Sequence, residues 1–119
     1  MKIQSYKELI VWQKAMDMVA DVYKLTQNLP KDELFALTNQ IRRAAISVPS
    51  NIAEGYGRQS KKEYLQFLSV ANGSVCEIET QLLLTVKIGY LSEEMINDTL
   101  QTLSEIGKML FSMKQKLNS

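Results

Sequence analysis

SKKEYLQFLSVANGSVCEIETQLLLTVKIG, residues 60–89, carries the strongest periodic signal in the chain. Tyr64, Leu68, Ala71, Val75, Ile78, Leu82 and Val86 recur at steps of three and four. That spacing gathers them on one face of an α-helix and would scatter them over both faces of a strand. Ser60 and Glu63 have the spacing of a capping box, in which the serine oxygen and the glutamate carboxylate satisfy free N–H groups of the first turn. Gly89 supplies a stop, because glycine accepts the left-handed conformation that ends many helices. Gly73 and Ser74 fall in mid-helix, where glycine costs about 1 kcal/mol relative to alanine. Small residues there would let a neighbouring helix come close.

The same period continues in both directions. Upstream, Leu37, Ile41, Ala44, Val48 and Ile52 form the apolar stripe of a second helix. It starts around Lys31, Asp32 and Glu33, whose acidic pair suits a helix N-terminus. Pro49 sits inside this pattern, removes one N–H and crowds the carbonyl of Ala45, which predicts a kink there or two helices in near-continuation. Gly55 and Gly57 close the segment through the left-handed conformation. A first helix starts near Ser5, in capping-box spacing with Glu8, and carries Leu9, Trp12, Met16, Val19 and Tyr23 to an end at Asn28 and Pro30. Downstream, Ser92, Glu93 and Glu94 begin a fourth helix with the stripe Leu103, Ile106, Leu110, Met113 and Leu117. Short connections between four amphipathic helices predict an all-α fold, an antiparallel up-down four-helix bundle with its second helix kinked near Pro49. The 119 residues show no internal repeat or linker, so residues 1–119 read as one domain.

Composition narrows the function classes. Lysine plus arginine is 14 and aspartate plus glutamate 13, a net charge of +1. A dedicated nucleic-acid binder carries a clear basic excess, because phosphate neutralisation supplies much of its affinity. Here only a local patch can do so. Residues 1–7 lack the apolar run of a signal peptide, and Leu82, Leu83 and Leu84 are far too short a run to span a bilayer. A cytoplasmic protein without membrane attachment follows by default. Cys76, the single cysteine, can form no intrachain disulfide, and its setting between Val75 and Ile78 reads as a small buried hydrophobe. A catalytic thiol would want a histidine partner, and the chain has no histidine.

Apolar residues also fall outside the four stripes: Ile10, Val11, Met18, Phe35, Phe67, Leu83, Leu84, Ile88 and Phe111. One bundle core uses roughly a third of each helix surface. The surplus predicts a second buried face, hence oligomerisation.

Residues 40–55, QIRRAAISVPSNIAEG, hold the most informative polar pattern. At about 100° per residue, Gln40, Arg43, Ser47, Asn51 and Glu54 fall within an arc of about 80° beside the apolar stripe. Helix three has a similar row in Ser74, Glu77 and Gln81. The two rows can face each other, with Arg43 or Arg42 pairing with Glu77, and Gln40 or Asn51 with Ser74 or Gln81. A buried arginine needs such a partner. The preferred reading is a polar network that fixes helix register; the alternative is a ligand or partner surface.

Other charged groups have plainer readings. Glu77 and Glu79 point to different sides of a helix, Glu93 and Glu94 suit a helix start, and the di-iron bundle signature needs histidine. No metal site or cofactor is expected. Gly55, Tyr56, Gly57 and Arg58, followed by Ser60, Lys61 and Lys62, form a basic glycine-containing loop without the Walker spacing. It reads as a helix stop and a capped start, with nucleic-acid contact by Arg58, Lys61 and Lys62 as the alternative. Lys108, Lys114 and Lys116 suit the C-terminal dipole of helix four.

Three motifs together carry a family resemblance: Trp12, Gln13, Lys14 and Ala15; the QIRRAA segment with Ser47 and the run from 50 to 55; and Ala71, Asn72, Gly73 and Ser74 with Glu77 and Glu79. Over nearly its whole length the chain resembles the four-helix bundle family of 23S rRNA intervening-sequence proteins. The resemblance implies a four-helix bundle assembled as a homopentameric ring, with no established biochemical role. The accessory protein of diversity-generating retroelements is similar and is a basic, pentameric, nucleic-acid-binding partner of a reverse transcriptase. The present chain departs from it in lacking the basic excess. The expected function is therefore a non-enzymatic homo-oligomeric module that binds RNA or a protein partner, with no small-molecule substrate. The competing classes are a purely structural assembly and an enzyme using the polar row of helices two and three.

Overall fold

The computed structural model describes residues 3–119, which are all-α. Four long helices form the bundle: α1 (Ile10–Thr26), α2 (Asn39–Tyr56), α3 (Lys61–Ile88) and α4 (Glu93–Asn118). α2 packs on α1 and α3, and α4 packs on α3 and α1, so α1 and α3 occupy opposite corners. No helix among the described residues is long and apolar enough to cross a membrane.

The stripes of α2, α3 and α4 meet in the middle. Ile41, Val48 and Ile52 of α2, Leu68, Ile78 and Leu82 of α3, and Leu103, Ile106 and Leu110 of α4 are fully buried. On α1 the buried residues are Val11, Ala15, Met18, Val22 and Thr26. The stripe expected there was a different one: Leu9, Trp12 and Val19 pack against the edge of the core, and Met16 and Tyr23 are exposed. Both sets have helical spacing, but the real one contains a small alanine at a fully buried position. Val11 and Met18 therefore leave the surplus set and join the core, and Phe67 is half-buried. Cys76, expected inside, is exposed. Its distance of two residues from the buried Ile78 places it roughly 200° around the helix.

Helix ends follow their local chemistry. The Ser60 hydroxyl accepts from the Glu63 N–H at 3.0 Å and donates to the Glu63 carboxylate at 3.2 Å. Ser92 accepts from the Met95 N–H at 3.3 Å. Ser5, in contrast, caps only a 3-10 turn, Tyr6–Glu8, and α1 begins after it. The approach to α2 is likewise irregular: a 3-10 turn, Lys31–Glu33, passes into a π-helical turn, Leu34–Thr38. α2 then runs as one helix with Pro49 inside its span.

Among the described residues only Gly89 has positive φ, at 98°. Gly57 has φ −78°, so the expected left-handed stop after α2 is not what ends it. At Gly89 the N–H groups of residues 89 and 90 both reach the Thr85 carbonyl, at 3.1 and 2.8 Å, and close α3. A Cβ at Gly89 would meet nothing within 4 Å, so only backbone strain opposes a side chain there. Gly89→Ala is expected to destabilise the protein by about 1–2 kcal/mol in urea denaturation. Gly89→Asn should lose less, since asparagine enters the left-handed region more readily. Equal losses for the two would show that strain is not the cause.

Candidate functional site

The polar rows of α2 and α3 come together along a seam made of short side chains. Ser47 and Ser74 place their hydroxyl oxygens 2.9 Å apart. Asn51 donates to the Ser47 carbonyl at 2.8 Å and to the Ser47 hydroxyl at 2.9 Å. Further along, the Gln81 amide donates to the Gln40 side-chain oxygen at 3.4 Å and to the Glu77 carboxylate at 3.3 Å. Ser74 and Gln81 are buried, Ser47 and Asn51 half-buried, and Gln40, Arg43, Glu54 and Glu77 exposed. The seam is thus wet on the outside and dry underneath. Beneath it the Gln81 side-chain oxygen is buried without a partner. Leaving such an acceptor unpaired costs about 1–3 kcal/mol.

The glycine of the central motif makes the close approach possible. A Cβ on Gly55 would lie 2.8 Å from the Phe67 Cβ and 3.0 Å from the Tyr64 ring. Of the two small residues expected to admit a neighbour, Gly73 and Ser74, Gly73 has nothing within 4 Å of where a Cβ would stand. Ser74, one residue on, is the small residue that faces α2. Tyr64 packs edge-to-face on Tyr56 with centroids 6.2 Å apart, and burial first, then the neighbouring Tyr56, push its phenol above the ordinary value.

The arginines depart from expectation. Arg43 lines an outer cleft of about 270 Å³ with Gln40, Ser47, Ser74 and Glu77, but forms no ion pair with Glu77. Arg42 leaves the seam altogether. Adjacent helical residues point about 100° apart, which turns Arg42 toward α1. There its Nε donates to the Thr26 hydroxyl at 2.8 Å, and the guanidinium lies 4.6 Å from the Tyr23 ring centroid. Glu54 sits 3.6 Å from Arg58 in an exposed pair that contributes little.

In the basic loop, Arg58 also stacks over the Phe67 ring at 4.8 Å, while Lys61 and Lys62 stand exposed in the first turn of α3. On the other side of α3, Cys76 borders a groove with Lys108 and Phe111. Glu79 shares that groove, and burial raises its carboxyl above the ordinary range.

The chemistry of the seam is hydrogen bonding. A nucleophilic serine needs a base within hydrogen-bond reach; the neighbours of the Ser47 hydroxyl are another hydroxyl and an amide. Stability should follow this geometry. Arg43→Ala is expected to stay within about 0.5 kcal/mol of wild type, as exposed substitutions do, while Glu77→Ala removes one acceptor of the buried Gln81 amide and should lose up to about 1 kcal/mol. Ser47→Ala and Ser74→Ala should each lose about 1 kcal/mol, with measurable coupling in a double-mutant cycle. Coupling between Arg43 and Glu77 instead would restore the charged pairing that the sequence suggests.

Comparison with known proteins agrees with this architecture. Residues 7–112 match the family described as 23S rRNA-intervening sequence protein. A solved structure with the same fold is a protein with unknown function from the S23 ribosomal protein family, from Bacteroides thetaiotaomicron VPI-5482. It is 25% identical, has a TM-score of 0.82, and is matched over 88% of the present chain and 98% of its own. No curated protein matches the chain. The match over most of its length and the shared bundle establish that the chain belongs to the 23S rRNA-intervening sequence protein family.

Proposed function

We propose that the protein is a non-enzymatic assembly module: a head-to-tail homo-oligomeric ring, five-membered as the family resemblance implies, that offers each subunit's basic turn to RNA or a protein partner. The observation that carries this reading is the distribution of exposed apolar side chains. Ile10 of α1 is exposed at a groove of about 350 Å³ that it shares with Leu9, Met109 and Met113. On α3, Val70, Leu84 and Ile88 are exposed along one flank. These two surfaces belong to opposite corners of the bundle. A two-fold contact buries one patch against itself, whereas a head-to-tail contact covers two different patches and closes into a ring when the rotation allows. Two separate patches favour the second.

The partner-binding part rests on Lys61 and Lys62, since Arg58 is already engaged by Glu54 and Phe67. A ring repeats this pair on every subunit, so weak contacts to phosphate or acidic groups add by avidity. Binding through that turn weakens as salt is added.

Sedimentation velocity tests the assembly. The wild type is expected to sediment as a multiple of the 13.6 kDa subunit. Ile10→Asp and Leu84→Asp should each stop assembly, and an equal mixture of the two should form dimers through the one intact pairing of patches. A wild-type monomer at micromolar concentration contradicts the proposal. A mixture that stays monomeric while the wild type assembles contradicts the head-to-tail arrangement.

A further inference from the structure

A cavity of about 330 Å³ opens where the end of α1 meets the 3-10 and π-helical turns that lead into α2. Leu29, Pro30 and Leu34 give it an apolar wall, and Lys31 and Arg42 bring two cations to it. The volume lies at the small end of the range for ligand pockets. The π-helical turn beside it is a conformation that is rare in general and frequent at functional sites.

Arg42 is held in place but makes no ion pair among the described residues. Its Nε is bonded to the Thr26 oxygen, and Thr26 is itself fixed by donating to the Val22 carbonyl at 2.8 Å. Tyr23 covers the guanidinium face. Nothing among the described residues bonds to the two terminal nitrogens of Arg42, and the ion pairs present are Lys14 with Glu105 and Arg58 with Glu54. The nearby carboxylate of Glu33 is committed elsewhere: it accepts from the Tyr90 hydroxyl at 2.8 Å and the Leu37 N–H at 3.4 Å. The hydrogen bond to Glu33 is also the main reason that the Tyr90 phenol titrates above its ordinary value. A half-buried guanidinium presenting a free two-nitrogen fork matches a carboxylate in bidentate geometry.

We infer that this cavity binds a carboxylate carried on an apolar group, the chemistry of a polypeptide C-terminus ending in an aliphatic residue. Arg42 takes the carboxylate end-on through its terminal nitrogens, and Lys31 adds a second positive charge. The aliphatic side chain lies on Leu29, Pro30 and Leu34. Two cations beside an apolar wall suit a monoanion with an apolar body better than a fully hydrated phosphate. The site is independent of the proposed ring, because none of its residues belongs to the two apolar patches assigned to assembly.

The test uses the full-length protein in its native assembly and heteronuclear NMR. Four probes are compared: acetyl-glycyl-leucine with a free carboxylate, the same peptide amidated, isocaproate and inorganic phosphate. The free-carboxylate peptide is expected to shift the Arg42 Nε–H and the backbone amides of residues 27–42, and the amidated peptide to leave them in place. Arg42→Lys keeps the charge and loses the fork, so binding should weaken about tenfold. Lys31→Gln, at an exposed position that does not threaten folding, should weaken it several-fold. Tighter binding of the peptide than of isocaproate supports a polypeptide source; equal binding overturns that source in favour of a free acid. The inference fails if millimolar peptide produces no shift, if amidation or Lys31→Gln makes no difference, or if phosphate alone responds.

Discussion

The approach of α2 to α3 over Gly55 is the constraint on which the rest of the bundle depends. At 2.8 Å from the Phe67 Cβ, the space beside Gly55 cannot hold even a methyl group without moving the two helices. The obstruction is at the root of a side chain, so rotamer changes do not relieve it. With the helices that close at one end, the residues opposite each other further along must also be small. Ser47 faces Ser74, with Asn51 bridging back to α2. This pairing aims Ile41, Val48 and Ile52 at the same interior as Leu68, Ile78 and Leu82.

The seam also separates two kinds of surface. Its buried edge is a hydrogen-bonded row that does not depend on charge. Its exposed edge carries Arg43 and Glu77 without an ion pair between them. Burying such a pair costs several kcal/mol in desolvation per ion, and short neutral side chains hold register without that cost. Among the described residues the oxygen of Gln81 is the one buried side-chain polar atom left without a partner. Exposed apolar side chains remain on α1 and α3, and also on the turn before α2, on α2 and on α4, among them Phe35, Ile46 and Phe111.

The number and type of helices were legible in the sequence wherever large apolar residues, a serine cap and a stop coincided, as in α3 from Ser60 to Gly89. Boundaries were less so. The π-helical turn before α2 has no signature in the apolar spacing, and Ser5 caps only a short turn ahead of α1. α1 offers two apolar sets with helical spacing, one through Trp12 and Met16 and one through Val11, Ala15 and Met18, and only the neighbouring helices settle between them. The polar row is legible from its angular spacing, and Gln40 with Gln81 is one of the alternative pairings that the spacing allows. Its charged partners were misassigned, since a sequence does not say that Arg42 turns to Tyr23 and Thr26. Gly55 reads in the sequence as a source of backbone freedom, whereas in the fold its missing side chain is what matters. The cavity at Arg42 has no signal in the sequence, because the way residues 26–42 turn back on themselves between α1 and α2 is not encoded in any spacing pattern.

The most direct measurement is the stability of Gly55→Ala, set beside Gly57→Ala. A Cβ at residue 57 would lie 3.6 Å from its nearest neighbour, an ordinary contact, and φ there is −78°. If the close approach over Gly55 organises the bundle, Gly55→Ala loses about 1–3 kcal/mol in chemical denaturation, the usual cost of overpacking, while Gly57→Ala stays near wild type. Wild-type stability for Gly55→Ala, or equal losses for the two variants, would contradict it.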